Sequence, residues 1–177
     1  DSYKAKVAAA AIEAGADLVN DIWGLKYDPE MAGLIARTGV ACCLMHNKNN
    51  TEYQDFYPDM LRETAECVKL AKEAGIADDK IILDPGVGFG KNYEQNLETI
   101  LHMERFHELG YPMLLGTSRK SVIGLTLDLP ADQRVEGTLV TTVMAVMKKY
   151  AFVRVHDIKE NQRTIRMTEA ILKAGEN

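Results

Sequence analysis

No stretch of these 177 residues stays apolar for anything near the roughly 18 positions a membrane-spanning helix needs, and no charged-then-apolar leader opens the chain. A soluble, cytoplasmic protein is expected. Basic charge is also scarce. With 21 Lys and Arg against 26 Asp and Glu, the formal net charge is −5, which argues against nucleic acid or an anionic bilayer as partner. An anionic substrate would have to be met by a local cluster of cations. Cysteine is limited to Cys42, Cys43 and Cys67. The number is odd, and neighbours on a strand point to opposite faces, so reduced and packed thiols are expected rather than a disulfide. No G-x-G-x-x-G follows a first strand, and in GVGFGK the residue after Lys91 is Asn92, which breaks the phosphate-loop spacing. Solenoid repeats, low-complexity tracts and interdomain linkers are absent as well, so residues 1–177 read as one domain.

What is present is alternation. Apolar positions at helical spacing run from Tyr3 to about Ala14, and the short strand ADLVNDI follows. Then come a helix from Asp28, the strand VACCLMH, a helix from about Asp59 to Ala74 and the strand KIILD. A helix from Tyr93 to Leu109, the strand PMLLGTS, a helix from Glu136 to Lys149, the strand AFVRVHD and a closing helix to Lys173 complete the pattern. Five strands, each followed by a helix, predict a parallel α/β sheet covered on both faces. Strand-end residues recur after 25 positions (Asn20 to Met45), then 39 (Asp84), 36 (Lys120) and 34 (Arg154). Those intervals approximate the roughly 30 residues per unit of a (β/α)₈ barrel, which is favoured over an open doubly wound sheet. Five strands do not close a ring of eight. The chain opens on Asp1, almost directly before a helix, so an incomplete barrel preceded by three further units is the expectation.

Arg154 and His156 stand two apart in AFVRVHD and therefore share a face. With Asn20, Asp84 and Lys120 they gather at strand C-termini, the rim on which barrel active sites are built. One acid, one amide and three potential cations suit a ligand with a hydrogen-bonding ring and an anionic tail; they do not form a metal-site pattern. Blander readings stand beside this one. Asp84 before Pro85 also reads as a turn residue, Lys120 as a solvated lysine at a helix start, and His156 as a satisfied rim histidine. His46, adjacent to Met45, should face the helices. His102 and His107 read as surface residues, and Met144 and Met147 as one apolar helix face packed into the core. Glu136, Asp157 and Glu160 read as helix caps or surface pairs.

The strings LVNDIWG, LMHN, ILDPGVGFGK, LGTSRKS, RVEGT and VRVHDIKEN, in this order, resemble the dihydropteroate synthase family across nearly the whole chain. The resemblance implies a (β/α)₈ barrel, usually homodimeric through its last helices. It also implies condensation of 6-hydroxymethyl-7,8-dihydropterin pyrophosphate with p-aminobenzoate, with Mg²⁺ on the pyrophosphate. Asp84 and Asn20 would then bind the polar edge of the pterin, Asp1 would lie near its N8, Met45 and Phe89 would flank the ring, and Lys120 would reach its O4 and N5 side. Lys120 and Ser121 would serve the p-aminobenzoate subsite, where sulfonamides compete, and Arg154 and His156 the pyrophosphate. The family's Mg²⁺ ligand is an Asn after the first strand, so no metal ligand is expected in this chain. Two other enzyme readings are a corrinoid-type, pterin-dependent methyltransferase and a Schiff-base aldolase through Lys120. A noncatalytic pterin-binding protein is the reading from a different class.

Overall fold

The protein is described by a computed structural model that covers residues 1–175. Helix α1 (Ala5–Glu13) leads into strand β1 (Leu18–Asp21), followed by α2 (Pro29–Thr38), β2 (Ala41–Met45), α3 (Phe56–Glu73) and β3 (Ile81–Asp84). Helix α4 (Tyr93–Leu101), β4 (Leu114–Leu115), α5 (Ser121–Leu127), α6 (Val135–Met147), β5 (Phe152–Val153) and α7 (Ile158–Ala174) complete the order. Local chemistry sets several boundaries. Asp28 caps α2 by accepting from the Glu30 N–H, Pro29 occupies the first turn, and Gly39 in the left-handed region ends the helix. Asn92 and Gln95 form a reciprocal capping box at the start of α4.

All strands are parallel and lie in sequence order. β1 pairs with β2 and β2 with β3, in a register that sets Asn20 beside Cys43 and Met45 beside Asp84. A bridge between Leu83 and Met113 joins β3 to β4, and β4 pairs with β5 through Leu115 and Val153. Side chains alternate, so the sheet has two distinct faces. Val19, Cys42, Leu44, Leu83, Met113 and Leu115 are buried on the convex face, in one cluster with Met31, Ile35, Met60 and Phe106 of the covering layer. The opposite, concave face carries Asn20, Cys43, Met45, Ile82, Asp84 and, beyond β5, Arg154. Leu18 at one edge of that face is 40% exposed and Phe152 at the other is 45% exposed. Among the described residues the sheet does not close.

The sheet is nevertheless strongly curled. Four strand spacings of about 4.8 Å would separate β1 from β5 by about 19 Å in a flat sheet. Yet the Asp1 carboxylate accepts both from Asn20 Nδ2 on β1, at 2.7 Å, and from the Arg154 guanidinium beyond β5. Only curvature of the barrel type brings the two ends to one carboxylate.

Several sequence expectations are corrected. The helix expected from Tyr93 to Leu109 breaks at His102, and Met103–Leu109 is 3₁₀. A three-residue period aligns Met103, Phe106 and Leu109 on one side, the first two fully buried, which an α-helical turn would rotate apart. β4 and β5 shrink to two residues each, leaving Arg154 and His156 past the strand, although the ladder continues from the Arg154 N–H to the Leu115 carbonyl at 3.0 Å. For β5, paired on one side alone, a freer twist accounts for the shortening. Met144 packs against the core, whereas Met147 is 59% exposed. Of the two roles expected of Asp157, a helix cap or a surface pair, the structure has the second, with Arg119.

Leu83 is fully buried between β3 and its covering helices. Leu83→Ala is expected to lower unfolding stability by about 3 kcal/mol, within the roughly 2–5 kcal/mol of such truncations, as measured by urea denaturation.

Candidate functional site

Asp84 ends β3 and is buried at the concave rim. Its Oδ1 accepts from the Gly86 N–H at 2.7 Å, which leaves Oδ2 toward the cleft. An ideal Cβ on Gly116 would stand 3.5 Å from Asp84 Oδ2 and 4.0 Å from Lys120 Nζ. Carboxylate and ammonium thus face one point, kept open by a missing side chain. Burial raises the Asp84 pKa, opposed mainly by Lys120 and the Gly86 N–H, with Lys91 and Arg154 adding to the opposition. Burial lowers that of Lys120, opposed by Asp84. Each charge makes the other tolerable.

Asn20 lies across the cleft. Its Nδ2 donates to Asp1, while its Oδ1 is buried without a hydrogen-bond partner, the one such side-chain atom among the described residues. A buried orphan acceptor costs roughly 1–3 kcal/mol unless a ligand supplies a donor. Met45 is buried beside Asp84 in the register, and the Phe89 ring lies 4.7 Å from Lys120 Nζ, a cation–π contact.

The turn between Asp84 and Lys91 is held from several sides. Gly86, Gly88 and Gly90 all have left-handed φ, and a Cβ on Gly86 would fall 1.9 Å from the His46 carbonyl oxygen. The Val87 carbonyl accepts from Lys120 Nζ, the Gly90 carbonyl from the Tyr53 hydroxyl at 2.7 Å, and the Gly88 N–H donates to Asn96. Lys91 turns inward, and its Nζ lies 3.0 Å from both the Gly86 and the Phe89 carbonyls and 3.1 Å from His46 Nδ1. His46 faces α3, as its place on the strand predicts, with Nε2 2.9 Å from Glu63. Since a carboxylate only accepts, Nε2 carries the hydrogen, Nδ1 accepts, and Lys91 donates to three acceptors. Burial lowers the Lys91 pKa to about 7 and that of His46 to about 4; the His46 hydrogen bond holds Glu63 at about 2.

On the other side of the mouth the two last loops are cross-linked. Ser118 Oγ accepts from the His156 backbone N–H at 3.1 Å and lies 2.9 Å from His156 Nδ1. With Nδ1 engaged, Nε2 remains for a ligand. Arg119 adopts φ 58°, its Nε and Nη2 grip Asp157, and its carbonyl accepts from Arg134. That constraint sends the next residue, Lys120, into the cleft and leaves Ser121 exposed at the start of α5.

Hydrogen bonds thus join Asp1 to Asn20 and Arg154; Asp84, Lys120 and Phe89 stand together, with Met45 beside Asp84 in the register; His156 is tied to Ser118, and Ser121 follows Lys120 on the surface. Sequence reading missed Gly116, Lys91 and the Arg119–Asp157 pair. The lysine ending a glycine-rich turn was a usable signal, because such turns crowd carbonyls that need donors. Among the described residues no group of three or more His, Cys, Asp or Glu could hold a metal ion. The Asp1 carboxylate is already engaged by Asn20 and Arg154. These residues do not compose a Mg²⁺ site. Nor is any helix among them long and apolar enough to cross a membrane.

The family model described as pterin binding enzyme matches residues 1–156. The dihydropteroate synthase of Clostridium beijerinckii is 59% identical over 174 residues, covering 98% of this chain and 65% of the relative. That of Bacillus subtilis is 49% identical over 175 residues, covering 99% and 61%. The chain thus spans less than two thirds of the length of these curated relatives. A crystal structure of dihydropteroate synthase from Clostridium difficile in the presence of pteroic acid superposes with a TM-score of 0.94 at 45% identity, over 97% of this chain and 65% of that one. A Yersinia pestis dihydropteroate synthase with a pterin–sulfa conjugate gives 0.93 at 38% identity, over 98% and 67%.

His46 supplies a pH dependence. Its folded pKa is depressed to about 4 from 6.5, so between those values the unfolded chain binds a proton that the folded one refuses, and stability falls as pH falls through that window. Glu63 acts in the same direction, but only between 4.5 and about 2. From pH 7 to pH 5 the chain is expected to lose about 2 kcal/mol more unfolding free energy than its His46→Gln variant, at 1.36 kcal/mol per pKa unit. Denaturant titration at both pH values measures the difference.

Proposed function

We propose, from the fact that this chain belongs to the pterin-binding enzyme family, that residues 1–177 act as the pterin-binding domain of a dihydropteroate synthase. The observation that carries this reading is the Asn20 Oδ1 acceptor left without a partner, on the same face of the sheet as Asp84, whose Oδ2 faces the gap beside Gly116. A dihydropterin offers two neighbouring donors along one edge, its ring N–H and amino group. Asp84 would take both, and Asn20 would accept from the amino group. Met45 and Phe89 would flank the flat ring, and Lys120, with two N–H groups left beyond Val87, would donate to O4 and N5.

The reaction joins the exocyclic carbon of 6-hydroxymethyl-7,8-dihydropterin pyrophosphate to the amine of p-aminobenzoate. The carbon–oxygen bond breaks first and pyrophosphate leaves with its electron pair. Asp1, near N8, would stabilise the cation left on the pterin; the arylamine then attacks the carbon and passes its proton to water. No covalent enzyme intermediate is needed, since fixed charges provide the stabilisation. Arg154 would grip the leaving pyrophosphate with its guanidinium fork and His156 would donate from Nε2. On binding, the ester takes over from Asp1 part of Arg154's charge. Ser121 and Lys120 would receive the arylamine carboxylate, where a sulfonamide would compete. A Mg²⁺ ligand set is not among the described residues, and no step above depends on one.

The relatives reported above are all dihydropteroate synthases, which weighs against the methyltransferase and aldolase readings. A homodimer through the last helices is supported by exposed Val140 and Met147 on α6 and Met167 and Ile171 on α7.

The test is calorimetry on the chain. Asp84→Ala is expected to abolish binding of 6-hydroxymethylpterin, whereas Arg154→Ala should weaken its pyrophosphate ester at least about tenfold more than the alcohol. Retention of pterin affinity in Asp84→Ala, or equal losses for both ligands in Arg154→Ala, contradicts the reading. Gly116→Ala provides a steric check. The new methyl makes only ordinary contacts, 3.5 Å and 4.0 Å, so the thermal midpoint should hold while pterin affinity falls about tenfold.

A further inference from the structure

Lys91 is the most deeply buried cation of the described chain that the reaction does not use. It is 8% exposed, and its Nζ meets three acceptors: the Gly86 and Phe89 carbonyls and His46 Nδ1. Glu63 stands behind His46, with Lys48 on its other oxygen at 3.2 Å. The two carbonyls bracket the segment that shapes the cleft. Gly86 follows the Asp84–Pro85 turn and gives its N–H to the Asp84 carboxylate; Phe89 supplies the ring beside Lys120. A chain of three left-handed glycines has few intrinsic preferences, so something outside it must choose its conformation.

We propose that Lys91 is a positioning residue: its buried ammonium, tied through His46 to Glu63 of α3, fixes the Gly86–Gly90 turn so that the Asp84 carboxylate and the Phe89 ring face the cleft. The geometry of the turn stands on its own; the consequence for a ligand rests on reading the cleft as a pterin subsite. Without Lys91, the Gly86 and Phe89 carbonyls would lie buried and unpaired, and the turn would reorient to reach water. Gly86 would then release Asp84 Oδ1, and the carboxylate would lose the brace that aims its other oxygen. Lys91 touches no substrate in this scheme. It acts through the backbone.

In the unaltered chain at pH 6, where Lys91 is an ammonium and His46 still neutral, labelled with ¹⁵N and ¹³C, the Lys91 Nζ signal is expected to show scalar couplings across hydrogen bonds to the Gly86 and Phe89 carbonyl carbons. An Nζ that exchanges freely and couples to neither overturns the proposal, whatever the variants do. Lys91→Met should speed amide exchange at Gly86 and Phe89, leave that at Ile82 and Leu83 unchanged, and weaken 6-hydroxymethylpterin at least about tenfold. Lys48→Met, which keeps the side-chain stem packed against Gly90 and removes only the ammonium that holds the same Glu63, should stay within about threefold. A folded Lys91→Met that binds as the parent does, while Asp84→Ala does not bind, refutes the positioning role. If Asp84→Ala also binds normally, the pterin reading fails, and the couplings and amide exchange alone decide whether Lys91 sets the turn. Should Lys91→Met fail to fold, the couplings in the unaltered chain decide.

Discussion

Parallel pairing is the constraint on which everything else rests. Strands that run the same way end on the same edge, so the residue closing each one is delivered to a single rim. The register sets Asn20 beside Cys43 and Met45 beside Asp84, so these four share the concave face. Curl then converts a row into a ring, and the Asp1 carboxylate meets both Asn20 and Arg154 because the two ends of the sheet approach each other. An open, flat sheet with the same strands would offer the same side chains in a line some 19 Å long, at about 4.8 Å per strand, and no small molecule could touch them all.

Gathering these groups is electrostatically costly, and the arrangement shows how the cost is contained. Asp84 is buried, yet Lys120, Lys91 and Arg154 all act on it. Lys120 is held by the Val87 carbonyl and lies over Phe89; Lys91 is held by two carbonyls and an imidazole. The cations thus do two jobs, balancing the carboxylate and satisfying the carbonyls of a turn that has no regular structure. Asn20 Oδ1 is the exception, an acceptor left without a donor. An unmet polar atom on the rim of an otherwise satisfied edge fits a donor that would arrive with a ligand.

Much of this was legible in the sequence, and the limits of legibility have a physical cause. Short apolar strands closing at or next to Asn20, Met45 and Asp84 announce themselves because a brief, nearly continuous apolar run between helical patterns is a local property. The outward turn of His46 followed from the alternation of side chains along a strand. Lys91 and His46 are 45 residues apart, and Arg119 and Asp157 are 38 apart, so neither contact has a local signature. Gly116 matters for the side chain it lacks, which no residue-type argument detects without coordinates. The break at His102 also escaped, because Met103, Phe106 and Leu109 fit a helical pattern loosely, and tertiary burial selected the tighter turn.

The two faces of the sheet divide the labour between stability and chemistry. On the convex face Leu44, Leu83 and Met113 are wholly buried, and the helices that cover them form the continuous core. The concave face is buried in the middle, at Cys43 and Ile82, and exposed at its edges, at Leu18 and Phe152, with polar groups confined to the rim. Substitutions on the first face therefore act on folding, and those on the rim act on ligands. The Asp84–Lys91 turn is where the divisions meet. Its carbonyls are bound by a lysine whose other partner, His46, belongs to the helix side through Glu63, so the packing of α3 is transmitted to the orientation of a carboxylate in the cleft.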